Sequence, residues 1–189
     1  KEEAARVVWH DVHIDFSSFR KGAQAIEEEL HHRDFTINAM ALAMSAIDKI
    51  GDEFLIDPLN GKADLRRGLL DSCPEAFVDD PLRMLRGYRF QAELDVVLTR
   101  KSVALINEHG PLIGRCAAER ILYELDRIMM SANAPQVFRE MTGSGLLWEL
   151  FPELQSAVGM EQPGYHHEDV FQHSLLALEC VQEVIEHPQ

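Results

Sequence analysis

The chain has 189 residues, 46% hydrophobic and 26% charged, a composition that suits a globular protein long enough to bury a core. No apolar run approaches the roughly 20 residues of a membrane span and no secretory leader is visible, so we expect no membrane partner. A formal charge of −14 excludes a protein that grips nucleic acid with its whole surface, so such a partner must be met by a local basic patch.

Cys73, Cys116 and Cys180 are odd in number and lack metal-site spacing, which suits reduced thiols in a cytoplasmic protein. The chain opens Lys1-Glu2-Glu3 without methionine, and we expect it to be part of a longer protein.

In chain order, Val12, Ile14 and Phe16 alternate with His13, Asp15 and Ser17, the period of a half-buried strand. Val7-Val8-Trp9 is its expected hairpin partner, with a turn near His10-Asp11. Helices are predicted over 24–32 and 36–47, the second rich in Ala and Met. Phe54-Leu55-Ile56 reads as a short strand stopped by Asp57-Pro58, because proline cannot continue a ladder. From Pro74 the pattern is helical almost throughout, with breaks at Gly110-Pro111, Pro135, Gly143 to Gly145, Pro152 and Pro163-Gly164. A last helix is predicted over 166–186. The expected class is α+β, with a head over 1–72, an all-helical neck over 73–155 and the start of a further helical unit over 156–189.

The run from Val78 to Phe90 carries the most chemistry. Arg83, Arg86 and Arg89 recur at i, i+3 and i+6. At about 100° per residue, Asp80, Arg83 and Arg86 fall within an arc of roughly 120°, which leaves Leu82, Leu85 and Phe90 for the other side. A carboxylate followed by guanidiniums suits a base edge beside a polyphosphate, and a salt-bridged surface helix is the plain alternative. Side by side, Asp80 accepts from an exocyclic amine and Arg83 donates to a ring nitrogen. Cytosine and adenine show that edge, whereas guanine and uracil invert it. Arg86 and Arg89 lie further around, towards phosphate oxygens, although Arg89 is also spaced to pair with Glu93 at i+4. Arg120 and Glu124, also i and i+4, are expected to pair with each other.

Elsewhere the local readings are plainer. Asp34 reads as an N-cap for a helix starting at Phe35, and Asn38 as a polar group one turn on. Asp57, Gly61 and Asp64 form a glycine-containing turn after a strand.

Four segments in order resemble the class II tRNA nucleotidyltransferase/poly(A) polymerase family, the enzymes that build CCA ends on tRNA. They are Leu30-His31-His32-Arg33-Asp34-Phe35-Thr36-Ile37-Asn38-Ala39-Met40-Ala41, then Asp57 to Leu65, the Asp80 helix, and Ala118 to Leu125. The resemblance covers residues 12 to 155. It implies a polymerase β-like nucleotidyltransferase head with a mixed small sheet. It implies that Arg33 faces nucleotide phosphates and Asp34 a ribose hydroxyl, that Asp80 and Arg83 read the base, and that Arg86 and Arg89 hold phosphates. The loop of Asp57, Gly61 and Asp64 would be a flexible element that moves as the enzyme switches nucleotides. The chain departs from the usual Arg-Arg-Asp, with His32 in the first arginine's place.

The activity implied is addition of C, A or both to tRNA 3′ ends from CTP and ATP with Mg²⁺. A bacterial poly(A) polymerase is the nearest rival, and an HD-type phosphohydrolase with a nucleotide-sensing head is a rival of another class. The Gly-Gly…Arg-Asp loop and the Asp-x-Asp that hold metal in this family do not occur in the sequence. Asp15 is a candidate third carboxylate, and an exposed strand aspartate otherwise. We therefore expect most Mg²⁺ ligands outside this chain and no catalysis by these residues alone. Tyr165 to Leu175 resembles the opening helix of an HD domain with His173 as candidate metal ligand, while His166 and His167 read as capping or surface residues.

Overall fold

The predicted hairpin opens the fold, but its alternation does not produce the half-buried strand expected. In a computed structural model that describes residues 4–49, 51–160 and 168–186, β1 (Ala4–Trp9) and β2 (Val12–Ser17) form an antiparallel hairpin with Val7 opposite Ile14. Both strands are exposed along their length, Val8, Trp9 and Phe16 included. Next comes α1 (Ile26–Leu30), shorter than the predicted helix.

The helix predicted over 36–47 does not form. Thr36–Asn38 is a single 3-10 turn, β3 (Ala41–Leu42) pairs antiparallel with β4 (Leu55–Ile56), and Met44–Ala46 is a second 3-10 turn. Main-chain bonds made across the sequence explain the difference. The Thr36 N–H donates to the Asp71 carbonyl at 2.9 Å, and the Cys73 N–H donates to the Asp34 carbonyl at 3.0 Å. Phe35 is held extended between them as a bridge partner of Ser72. Helix propensity is a weak prior that such pairing overrides.

α2 (Gly61–Arg66) starts where the Asp57 carboxylate accepts the N–H groups of Gly61 at 2.7 Å and Lys62 at 3.0 Å. A Cβ on Gly61 would lie 1.9 Å from the Thr36 carbonyl oxygen, so only glycine lets α2 pack on that turn.

β5 (Leu69–Leu70) runs parallel to β6 (Val97–Leu98), a strand inside the region read as helical almost throughout. The crossover between them contains α3 (Ala76–Asp79) and α4 (Leu82–Glu93), the kind of connection parallel strands require. Thr99 caps α5 (Arg100–His109) by accepting the Ser102 N–H at 3.1 Å. There follow α6 (Ala118–Met129), α7 (Ala134–Gly143), α8 (Leu146–Leu150) and α9 (Val170–Glu186). The α+β class holds, as a helix-rich chain with small two-stranded sheets.

α4 is the hub. Met84, Leu85 and Tyr88 are at most 1% exposed and share one buried cluster with Phe35, Ile106, Ile128 and Met141. Each such side chain contributes about 1.5–3 kcal/mol when fully buried, so the helix face that carries the arginines rests on a firm base. Among the described residues no helix is long and apolar enough to cross a membrane.

Candidate functional site

The arginine face of α4 opens onto a cleft of about 550 Å³. Arg83, Arg86 and Arg89 enter it from α4, Arg33, Asp34 and Asn38 from the segment after α1, and Arg20 from the segment after β2. Asp80 comes from the residues just before α4 and Arg120 from α6. Six arginines surround two carboxylates, which places a local positive field on an acidic chain.

Asp34 is 7% exposed and fully engaged. Its Oδ1 accepts the Phe35 N–H at 2.9 Å and Asn38 Nδ2 at 3.2 Å, while Oδ2 accepts Arg86 Nε at 3.1 Å and Nη2 at 2.6 Å. Burial by itself pushes this carboxyl up. The charge and hydrogen bonds of Arg86, with those of Phe35 and Asn38, outweigh burial and hold it below the usual carboxylate range.

Arg83 is fixed by main chain rather than by Asp80. Its Nη1 donates to the Arg33 carbonyl at 3.0 Å and its Nη2 to the His32 carbonyl at 2.9 Å. Burial lowers its pKa against the raising charges of Asp34 and Asp80, and the Arg20 charge adds to the lowering. Asp80 Oδ1 accepts the Leu82 N–H at 3.2 Å, and Oδ2 accepts Arg120 Nη2 at 2.8 Å.

In place of the predicted Arg120–Glu124 pair, Arg120 takes Asp80 just before α4 and Glu124 takes Arg89 of α4. Glu124 is 3% exposed and accepts Arg89 Nε at 2.6 Å, and Arg89 Nη1 donates to Glu93 at 2.9 Å. α6 packs against α4, so Glu124 faces the interface and takes the buried guanidinium there. Arg89 lines the cleft but spends donors on Glu93 and Glu124, unlike the phosphate ligand the resemblance implies. Phe90, predicted on the apolar side, also lines the cleft, because it lies one turn beyond Arg86 and the Arg89 guanidinium sits 4.4 Å from its ring centroid.

Known proteins share this arrangement of segments. Residues 2–71 match the family described as poly A polymerase head domain, and residues 96–158 match the probable RNA and SrmB-binding site of polymerase A. The chain is 32% identical over 157 residues to the multifunctional CCA protein of Nitrosospira multiformis, which covers 82% of this chain and 36% of that protein. It is 44% identical over 124 residues to the CC-adding tRNA nucleotidyltransferase of Halalkalibacterium halodurans, covering 65% of this chain and 31% of that protein. The structure of the Bacillus stearothermophilus CCA-adding enzyme in complex with CTP matches with a TM-score of 0.66 at 28% identity, over 76% of this chain and 36% of that one. The chain belongs to the class II tRNA nucleotidyltransferase/poly(A) polymerase family. It spans about a third of the length of these relatives.

The remaining family positions lie away from the cleft. Thr36 Oγ1 donates to Asp64 at 2.7 Å, so Asp57, Gly61 and Asp64 brace the turn next to Asp34. Close packing on Thr36 calls for glycine at 61. Asp15 sits on the exposed hairpin, ion-paired with Arg6 at 2.6 Å, which is the exposed strand aspartate and not a third carboxylate of the cleft. His173 is an exposed residue of α9, and His166 and His167 lie outside the described residues. Among the described residues no group of three or more His, Cys, Asp or Glu side chains could hold a metal ion. The described residues therefore do not by themselves make a Mg²⁺ site.

Two members of the site were not foreseen, Arg20 in the cleft and Glu29 beneath it. The i, i+4 spacing of Glu29 and Arg33 is a sequence signal for one of them, and Arg20 carries none.

Proposed function

We propose that this chain supplies the nucleotide-selecting part of a template-independent RNA nucleotidyltransferase that adds C, A or both to tRNA 3′ ends from CTP and ATP. One observation carries the reading: Arg33 and Asp34 meet Arg83 and Arg86, from a helix about 50 residues further on, in a single arginine-rich cleft beside Asp80. The activities of the relatives support tRNA as acceptor, and C or A addition over poly(A) synthesis. Residues 1–72, 73–155 and 156–189 are the proposed head, neck and further helical unit, and the cytoplasm is the proposed location. Mg²⁺ is the proposed cofactor, with ligands supplied outside the described residues.

In this reading Arg33 and Arg86 take phosphate oxygens. A triphosphate competes with Asp34 for Arg86, which frees Asp34 to accept a ribose hydroxyl. The base edge then meets Asp80 and Arg83. Arg83 is preorganised by two main-chain carbonyls, so little ordering cost remains when a base arrives.

The test is incorporation of labelled CTP and ATP onto tRNA lacking its CCA end, with the natural protein in full. Arg86→Ala should raise KM for CTP and ATP by the same factor. A loss confined to one nucleotide would mean that Arg86 reads the base, and absence of incorporation by the unsubstituted protein would overturn the function.

A further inference from the structure

Besides Asp34 and Glu124, a third buried carboxylate, Glu29, lies under the arginine cluster. Glu29 is 2% exposed, a costly place for a charge, and its neighbours are two arginines of the cleft. The Arg20 N–H donates to Glu29 Oε2 at 2.6 Å, and Arg20 Nε approaches Oε1 at 3.4 Å. Arg33 Nη2 approaches the same Oε1 at 3.5 Å. Neither Glu29 Oε1 nor Arg33 Nε has a hydrogen-bond partner among the described residues, although both atoms are buried. Glu29 thus offsets the repulsion between two guanidiniums without saturating either of them.

Arg20 is also placed to act on a ligand. Its side chain is 28% exposed, and among the described residues its terminal nitrogens make one long contact, Nη1 to the His32 carbonyl at 3.4 Å. The fork therefore keeps donors for an anion, and a guanidinium matches phosphate oxygens two at a time. Arg20 also lines a smaller hollow together with Asp80 and Arg83, which is held by the carbonyls of residues 32 and 33.

We infer that Arg20 is a further phosphate-gripping residue of the cleft, and that Glu29 is a positioning residue that aims Arg20 and Arg33 at the phosphates of the bound nucleotide. The inference rests on the nucleotide reading proposed above. Glu29 acts through the arginines and does not itself touch the ligand. Its negative charge would repel phosphate were it to face the cleft, which its burial prevents.

The experiment measures Kd for CTP, inorganic tripolyphosphate and cytidine by titration calorimetry on the natural protein in full. Arg20→Ala should weaken CTP and tripolyphosphate alike, by about tenfold for the loss of one charge-assisted contact, and leave cytidine unchanged. Arg20→Lys, which keeps the charge without the fork, should fall between, and it decides the matter if Arg20→Ala does not fold. Glu29→Gln, which retains an acceptor for the Arg20 N–H, should weaken tripolyphosphate several-fold, and that effect should vanish once Arg20 and Arg33 are both alanine. Unchanged tripolyphosphate affinity in both Arg20 variants would overturn the role of Arg20. A Glu29→Gln effect that persists without the two arginines would overturn the positioning role. If the unsubstituted protein binds neither CTP nor tripolyphosphate, the nucleotide reading falls and the inference with it, whereas intact binding insensitive to Arg20 defeats the inference alone.

Discussion

Arg86 donates through both Nε and Nη2 to one oxygen of Asp34, which lies 52 residues earlier in the chain. The pair fastens α4 to the extended segment that carries Arg33. Asp80 is held by Arg120 through Nη2 alone, so each carboxylate of the cleft is matched with one of its arginines. A ligand with its own negative charge must exchange with these pairs, which favours polyphosphates over neutral molecules.

Asp34 gives the protein a defined acid response. Because its folded pKa is lowered, its contribution to stability is complete above the unfolded value of about 3.9 and is lost as pH falls through the lower folded value. Asp34→Asn should therefore melt below the wild type at neutral pH, and the gap should close below about pH 4. Thermal unfolding between pH 7 and pH 3 checks this, and a gap that widens towards acid would contradict it.

The base-reading pair predicts a change of selectivity. Removing one charge-assisted contact in a partly desolvated pocket costs about 1.5–3 kcal/mol. Arg83→Ala should lose CTP and ATP use and narrow discrimination against UTP and GTP, because a site built for polar pairing rejects mismatches through its own unpaired groups. Asp80→Ala should do the same from the other side of the base. The measurement is kcat/KM for all four nucleotides on tRNA lacking part of its CCA end. Wild-type selectivity in both variants would make α4 a scaffold only.

Arg89 and Glu124 predict a stability effect without a selectivity effect. Their side chains are 8% and 4% exposed, and Arg89→Ala strands Glu124 as an uncompensated buried charge. Breaking such a pair costs about 3–5 kcal/mol, while replacing both partners with apolar residues of similar volume costs far less. Urea unfolding of Arg89→Ala, Glu124→Leu and the double variant Arg89→Met/Glu124→Leu should show the double variant more stable than Arg89→Ala.

Gly61 predicts a packing effect. An alanine Cβ 1.9 Å from the Thr36 carbonyl forces α2 off its turn, with a cost of about 1–3 kcal/mol or more. Gly114→Ala, whose Cβ meets nothing within 4 Å, is the control. Equal midpoints in thermal unfolding for the two variants would show that α2 adapts without strain.

Local geometry explains which features were legible before folding. The hairpin, the short strand at Leu55–Ile56 and the helix at Leu82–Glu93 follow from periods of two and 3.6 residues, and the shared face of Arg83 and Arg86 follows from the helix alone. The pairing of Arg89 with Glu93 at i+4 was legible for the same reason. The helix expected over 36–47 was misread because its composition favours a helix while its backbone groups are claimed by Asp71 and Leu55–Ile56, and no window of local sequence contains those partners. β6 was missed likewise, since a two-residue strand exists only through its parallel partner.

By itself the sequence determined the chemistry available: a carboxylate and arginines on one face of a helix, a second arginine and carboxylate at 33 and 34, and a fold that brings them within one family. Only the tertiary structure decided how that chemistry is paired. Asp34 takes Arg86, Asp80 takes Arg120, Glu124 takes Arg89 in place of its own helix neighbour, and Glu29 lies buried beneath Arg20 and Arg33. The physical reason is that a charge taken out of water by packing must be matched by an opposite charge at that place. The surfaces that pack are chosen by the apolar core around Phe35, Met84 and Tyr88, not by the spacing of the charges.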